Sequence, residues 1–149
     1  MTSYRILVTG SRDWADRDRV FDEIGNACLR AIHAGYYSVV VVHGGARGAD
    51  QQASKYVRSN RVRAMDATGV ELNEEVHPVT PEQWRANRGA GIVRNHKMVA
   101  LGANECLAFG MPCTRCAPET LPHPTHGTKH CALTASTAGI PTLRFGEVW

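Results

Sequence analysis

The segment Tyr37 to Val42 limits this chain more than any other, because it carries four valines in succession without polar alternation. A strand with one wet face alternates apolar and polar residues. An unbroken apolar strand is covered on both faces, as in a parallel sheet. Three glycines follow within His43-Gly44-Gly45-Ala46-Arg47-Gly48-Ala49-Asp50, and a helical pattern through Ala53, Tyr56 and Val57 comes next. Buried strand, glycine loop and helix form the repeating unit of an α/β sheet.

The rest of the chain repeats that unit. Tyr4 to Val8 is a short β-rich run ending in Thr9-Gly10-Ser11. Val20, Phe21, Ile24, Cys28, Ala31 and Ile32 recur at three- and four-residue steps. That spacing predicts a helix capped by Asp16 or Asp18 and stopped by Gly35. The segment from Arg63 shows no clear pattern until a weak strand around Val70 to Val76. Thr80 as a cap and Pro81 in the first turn predict a short helix. Helical character returns from Gly91 to Leu101, and Glu105 to Phe109 reads as a strand. Thr128 to Ala138 reads as a helix ended by Gly139, and Ile140 to Phe145 as a final strand. Residues 111–126 hold four prolines and no periodicity, so they read as an irregular loop rich in cysteine and histidine. The expectation is a single Rossmann-like α/β domain over residues 1–149, in three layers around a mainly parallel sheet of about five strands. Ligands of such folds bind beyond the carboxyl ends of the strands.

Composition narrows the classes of function. A length of 149 residues suits one domain, and 43% hydrophobic with 21% charged residues is a globular rather than a disordered composition. No apolar run approaches the ~20 residues that span a bilayer. The start, Met1-Thr2-Ser3-Tyr4-Arg5, carries no long apolar signal segment. A cytoplasmic protein without a membrane partner is therefore expected. The net charge of +3 is too small to argue for nucleic acid by itself. The 14 arginines against 3 lysines suit phosphate, because the planar guanidinium binds such anions bidentately; codon bias is the other account. Five cysteines, an odd number, argue against a disulfide framework in a reducing compartment.

Four segments carry candidate chemistry. In Thr9-Gly10-Ser11-Arg12-Asp13 a glycine allows close backbone approach, while Ser11 and Arg12 offer donors to an anion. In the second loop Gly44, Gly45, Ala46, Arg47 and Gly48 precede a helix, a layout that aims backbone N–H groups and a helix dipole at a phosphate. It is neither G-x-G-x-x-G nor a P-loop. Asp50 there suits a ribose hydroxyl, or the loop's own N–H groups. Arg94 and Asn95 bunch with Lys97 on one helix, and Gly127-Thr128 opens the last helix. Trp14 and Trp84 are candidate stacking surfaces, with Trp14 better placed because it follows the first loop.

Taken in order, these segments resemble the SLOG superfamily, the Rossmann-like group that contains the DprA and LOG proteins, and within it the small YspA-like branch. The resemblance rests on the Thr-Gly-Ser-Arg-Asp-Trp start, Gly44 to Asp50, Arg94-Asn95 with Met98, Gly127-Thr128, and Ala138-Gly139-Ile140-Pro141. It implies a pocket for a nucleotide or nucleotide-derived ligand. LOG-type phosphoribohydrolases carry an Arg before a Met, then Pro-Gly-Gly-x-Gly-Thr-x-x-Glu, with the Arg and Glu catalytic. Arg94, Met98, Gly127 and Thr128 match that pattern. His123-Pro124-Thr125 replaces Pro-Gly-Gly, and Cys131 occupies the glutamate position. Glycosidic cleavage needs a carboxylate, and a neutral thiol is a poor substitute. The expected function is therefore a non-catalytic binder that senses or sequesters its ligand, with no required cofactor. The first alternative is a nucleoside-monophosphate phosphoribohydrolase using Arg94 with Asp50 or Glu105 as a displaced carboxylate. The second is a DprA-like factor on single-stranded DNA, with Arg58, Arg61 and Arg63 as a basic patch. A homodimer is expected as for many small domains.

The irregular loop holds Cys113-x-x-Cys116, then His123, His126, His130 and Cys131. A C-x-x-C pair and two later ligands complete a zinc tetrahedron, and a loop with little core gains order from a metal. Cys113, Cys116 and His123 are the first three candidates, with His126, His130 or Cys131 as the fourth. A reduced metal-free loop is the alternative.

Overall fold

In the computed structural model, which describes residues 2–149, the chain runs β1 (Tyr4–Gly10), α1 (Arg17–His33), β2 (Ser38–His43), α2 (Ala49–Thr68), β3 (Glu71–Val76). It continues through α3 (Pro81–Ala86), α4 (Ala90–Ala100), β4 (Glu105–Phe109), α5 (His126–Thr137) and β5 (Thr142–Phe145). The strands form one sheet in the order β3-β2-β1-β4-β5, and every neighbouring pair is parallel. Residue pairs such as Ile6 with Val41 and Leu7 with Cys106 set the register.

The valine run behaves as its pattern requires. On one face Ile6, Val8, Val39, Val41, Leu107 and Phe109 pack with Val20 and Ile24 of α1 and Ala53 and Val57 of α2. On the other, Leu7, Val42 and Cys106 pack with Met98 and Val99 of α4 and Cys131 and Ala135 of α5. Burying each such Val, Leu or Ile stabilises the fold by about 1.5–3 kcal/mol relative to exposure. The two helix layers thus clamp the sheet, and the loops at its carboxyl edge are held from both sides.

Local signals set the element ends. Asp16, of the two candidate caps, accepts a hydrogen bond from the Arg19 N–H at 3.0 Å. Thr80 and Gln83 form a reciprocal capping box on α3. The patternless stretch from Arg63 is helical and continues α2 to Thr68, where Gly69 in the left-handed conformation ends it. It shows no apolar stripe because, apart from Ala64, its side chains face solvent, Met65 included. The last helix starts two residues earlier than its apolar pattern indicates, at His126. Among the described residues no helix is long and apolar enough to cross a membrane.

Candidate functional site

The sheet order reverses direction between β1 and β4, so the loops leaving those strands diverge and open a crevice at their carboxyl ends. A cleft of about 770 Å³ lies there, within the range of small-molecule sites. It is walled by the loop after β1, the glycine loop after β2, the first turns of α4, and the Cys/His loop with the start of α5. Five arginines line it, Arg12, Arg47, Arg88, Arg94 and Arg115, against two carboxylates, Asp13 and Asp50. The sequence had pointed to Arg12, Arg47 and Arg94. Arg88 lies outside its motifs and Arg115 inside the C-x-x-C read there as a metal pair, and only the fold brings these two to the cleft.

In the first loop Gly10 and Ser11 line the cleft, but Ser11 is buried and its hydroxyl is already engaged. Ser11 Oγ accepts from the Met111 N–H at 2.9 Å and lies 2.6 Å from Thr125 Oγ1. It ties the first loop to both ends of the Cys/His loop rather than offering a free donor. Arg12 is exposed, with its guanidinium 5.8 Å from the Trp84 ring centroid. Of the two tryptophans, Trp14 is a core residue, edge-on to Phe109 with its indole N–H on the Asp16 carbonyl. Trp84, at 37% exposure, is the one on the rim of the cleft. The preference for Trp14 fails because its ring turns under the loop into the core.

The glycine loop is built on Asp50. This carboxylate is buried at the start of α2, and its Oδ2 accepts the Gly44 and Ala46 N–H groups, each at 3.2 Å. The Gly45 N–H is held by His43 Nδ1 at 3.0 Å, and His43 Nε2 meets Glu74 at 2.8 Å. Of the N–H groups expected to face a phosphate, those of Gly44, Gly45 and Ala46 therefore turn inward. Those of Arg47 and Gly48 have no internal partner among the described residues. The glycines serve close packing: a Cβ on Gly44 would meet the Arg94 guanidinium, and one on Gly48 (φ +79°) the backbone of Ser11 and Arg12. Burial raises the Asp50 pKa, against the opposing pull of His43, the two backbone N–H groups and Arg94. Its second oxygen, Oδ1, is buried without a hydrogen-bond partner in a residue that lines the cleft.

Arg94 reaches from α4 across to the carbonyls of Gly44 at 3.0 Å and His77 at 3.1 Å, and donates from Nε to Asn95 Oδ1 at 3.0 Å. Asn95 in turn donates to the Gly127 carbonyl at 3.3 Å. This pair locks the β2 loop, the β3 end and α5 together on one side of the cleft. Thr128 is buried, and its Oγ1 accepts from Thr125 at 3.2 Å. The start of α5 has no side-chain cap, which leaves the N–H groups of its first turn, at the cleft, open to an anion.

Two other residues are placed away from catalysis. Glu105 sits at the amino end of β4, opposite the cleft, where it is buried in an ion pair with Arg30 at 2.6 Å and takes a hydrogen bond from Tyr4. It does not reach the site and is no displaced catalytic carboxylate. Cys131 is fully buried, and burial pushes its thiol up to about 11, so it is neutral.

The Cys/His loop gathers four donors. Cys113 Sγ lies 3.8 Å from Cys116 Sγ, and His126 Nε2 lies 3.6 Å and 3.2 Å from the two sulfurs. With His123, the ligand atoms all fall within 4.8 Å of one another. A zinc tetrahedron with Zn–S of about 2.3 Å and Zn–N of about 2.0 Å has edges of about 3.3–3.8 Å. His123 Nδ1 is 2.8 Å from the Pro124 carbonyl, which leaves Nε2 as the free ligand atom and fixes the ring. The donor set thus fits a metal ion. Of the alternative fourth ligands, the His130 ring packs edge-on to His96 with its Nε2 3.5 Å from Thr134 Oγ1, and Cys131 lies in the core.

The fold and cleft define a Rossmann-like α/β protein with an arginine-rich site at the carboxyl edge of its sheet. The chain belongs to the YspA, cpYpsA-related SLOG family, whose match covers residues 4–68. It is also 39% identical over 148 residues to the Gene 61 protein of Mycobacterium phage D29, covering 96% of this chain and 97% of that one. No solved structure matches it.

Proposed function

We propose that the protein binds, and thereby senses or sequesters, a nucleotide or nucleotide-derived small molecule in this cleft. The observation that carries the reading is the convergence of five arginines on one crevice at the strand switch point. Arg12 and Arg47, both exposed and without an ion-pair partner among the described residues, would take phosphate oxygens. The N–H groups of Arg47, Gly48, Gly127 and Thr128 would add to them. Asp50 Oδ1 would accept from a sugar hydroxyl, and Trp84 would offer a face to a base. Membership of a SLOG family supports nucleotide-related binding or processing. Mass spectrometry of small molecules released from the purified protein tests this. A phosphorylated nucleoside derivative at near one per chain is expected. An empty preparation, with no thermal shift across a nucleotide panel, would count against it.

A second reading draws on one observation. Asp50 is a buried acid with a raised pKa and a free oxygen in the cleft, which is the profile of a proton donor in a phosphoribohydrolase. Sustained release of free base from nucleoside monophosphates, lost in Asp50→Asn, would favour it. The single-stranded-DNA reading is weaker, because Arg58, Arg61 and Arg63 do not line the cleft. For the Cys/His cluster we propose zinc. Cys113 and Cys116 as thiolates and His123 and His126 as neutral imidazoles would balance its charge and fill its four positions, so its role would be structural.

A further inference from the structure

We propose that the metal site places Arg115 in the cleft, so that zinc and the anionic ligand bind with positive coupling. The inference rests on the nucleotide and zinc readings above and names a dependence between them. The base of the Cys/His loop is pinned by backbone. Pro112 bridges Pro124, the Cys113 N–H bonds the His123 carbonyl at 2.8 Å, and the Thr125 N–H bonds the Met111 carbonyl at 3.0 Å. Beyond that pinch the tip has little to hold it. Residues 114–122 carry one backbone hydrogen bond of their own among the described residues, from the Thr120 N–H to the Ala117 carbonyl. Cys116 is the one residue of that stretch that is not exposed.

Arg115 lies between the two cysteines of Cys113-Thr114-Arg115-Cys116, and it lines the cleft. Its backbone is therefore fixed when both flanking sulfurs bind one ion. His126 extends the effect, being both a ligand candidate and the first residue of α5. The next two residues of that helix, Gly127 and Thr128, also line the cleft. One ion would fix a cationic side chain and a helix start against the same ligand. Without it, an anion recruiting Arg115 must itself meet the conformational-entropy cost of ordering the tip. Linkage then requires the anion to tighten zinc by the same factor.

The test uses the whole chain, purified without chelator, with half of the sample stripped by a strong chelator. Metal analysis and cobalt substitution read the site directly. One zinc per chain is expected, and visible bands of tetrahedral thiolate coordination with cobalt. Calorimetric titration with adenosine monophosphate then compares zinc-loaded and stripped protein, each with and without Arg115→Ala. Stripping should weaken binding by roughly tenfold or more, a loss of about 1.4 kcal/mol. Arg115→Ala should do the same in the loaded form, and stripping that variant should add much less. Arg115→Ala removes no metal ligand, so an affinity it leaves unchanged in the loaded form overturns the coupling even where the stripped chain loses its fold. Affinity unchanged by Arg115→Ala in the loaded form, or unchanged by stripping, overturns the coupling. Substoichiometric zinc without cobalt bands overturns the metal site. No binding of the nucleotide to any form, with zinc present at one per chain, overturns the nucleotide reading and the coupling but leaves the metal site standing.

Discussion

Asp50 concentrates the chemistry of the site in one side chain. The sequence places a carboxylate beside a would-be phosphate loop, where its charge is unfavourable, and leaves open a sugar hydroxyl or the loop itself. In the structure Oδ2 holds the loop, and Oδ1 remains free for the sugar hydroxyl proposed above. Its raised pKa fixes the sign of a pH effect. The folded state holds the proton more tightly than the unfolded chain. The stability Asp50 contributes is therefore full below its unfolded pKa of about 3.9 and is lost as pH rises through the folded value. Asp50→Asn keeps an oxygen for the two N–H groups and cannot ionise. Urea unfolding across that pH range should show the wild type losing stability relative to Asp50→Asn as pH rises; a gap that narrows or stays flat would contradict the assignment. Arg88 and Arg115 show the limit of reading single residues. Neither sits in a glycine motif, and Arg115 is hidden inside a C-x-x-C that points to metal alone.

The strands and most helices were legible because each leaves its own period. The unbroken valines of β2 give two buried faces, and the three- and four-residue steps of α1 give one. The solvated end of α2 and the start of α5 were not, because neither buries an apolar stripe there. The glycine loop was legible as a loop but not in its purpose, since hydrogen bonding and packing decide where its N–H groups point. Two alanine substitutions separate these roles. Gly48→Ala forces a left-handed φ on a residue with a Cβ pressed against the Ser11 carbonyl, and should destabilise by about 3 kcal/mol or more. Gly127→Ala meets nothing within 4 Å in the first turn of α5, and should be neutral or stabilise by up to about 1 kcal/mol. Denaturant unfolding of the two variants reads both; equal losses would mean that the two glycines do the same job.

At the scale of the whole molecule the family, the parallel sheet and the place of the cleft follow from the order of elements, and that order is written in the chain. What the cleft is made of is not, because four distant segments converge only after folding: the loops after β1 and β2, the start of α4, and the Cys/His loop. Their pooled charge is positive, and four of the five arginines, Arg12, Arg47, Arg88 and Arg115, are exposed. The most direct measurement is calorimetric titration of zinc-loaded protein with adenosine monophosphate and with adenosine, repeated with Arg12→Ala combined with Arg47→Ala. Saturable binding of the phosphorylated form is expected, with adenosine weaker by roughly tenfold or more, and a smaller difference in the double variant. Equal affinity for the two compounds, or a difference undiminished by removal of both arginines, would contradict the reading.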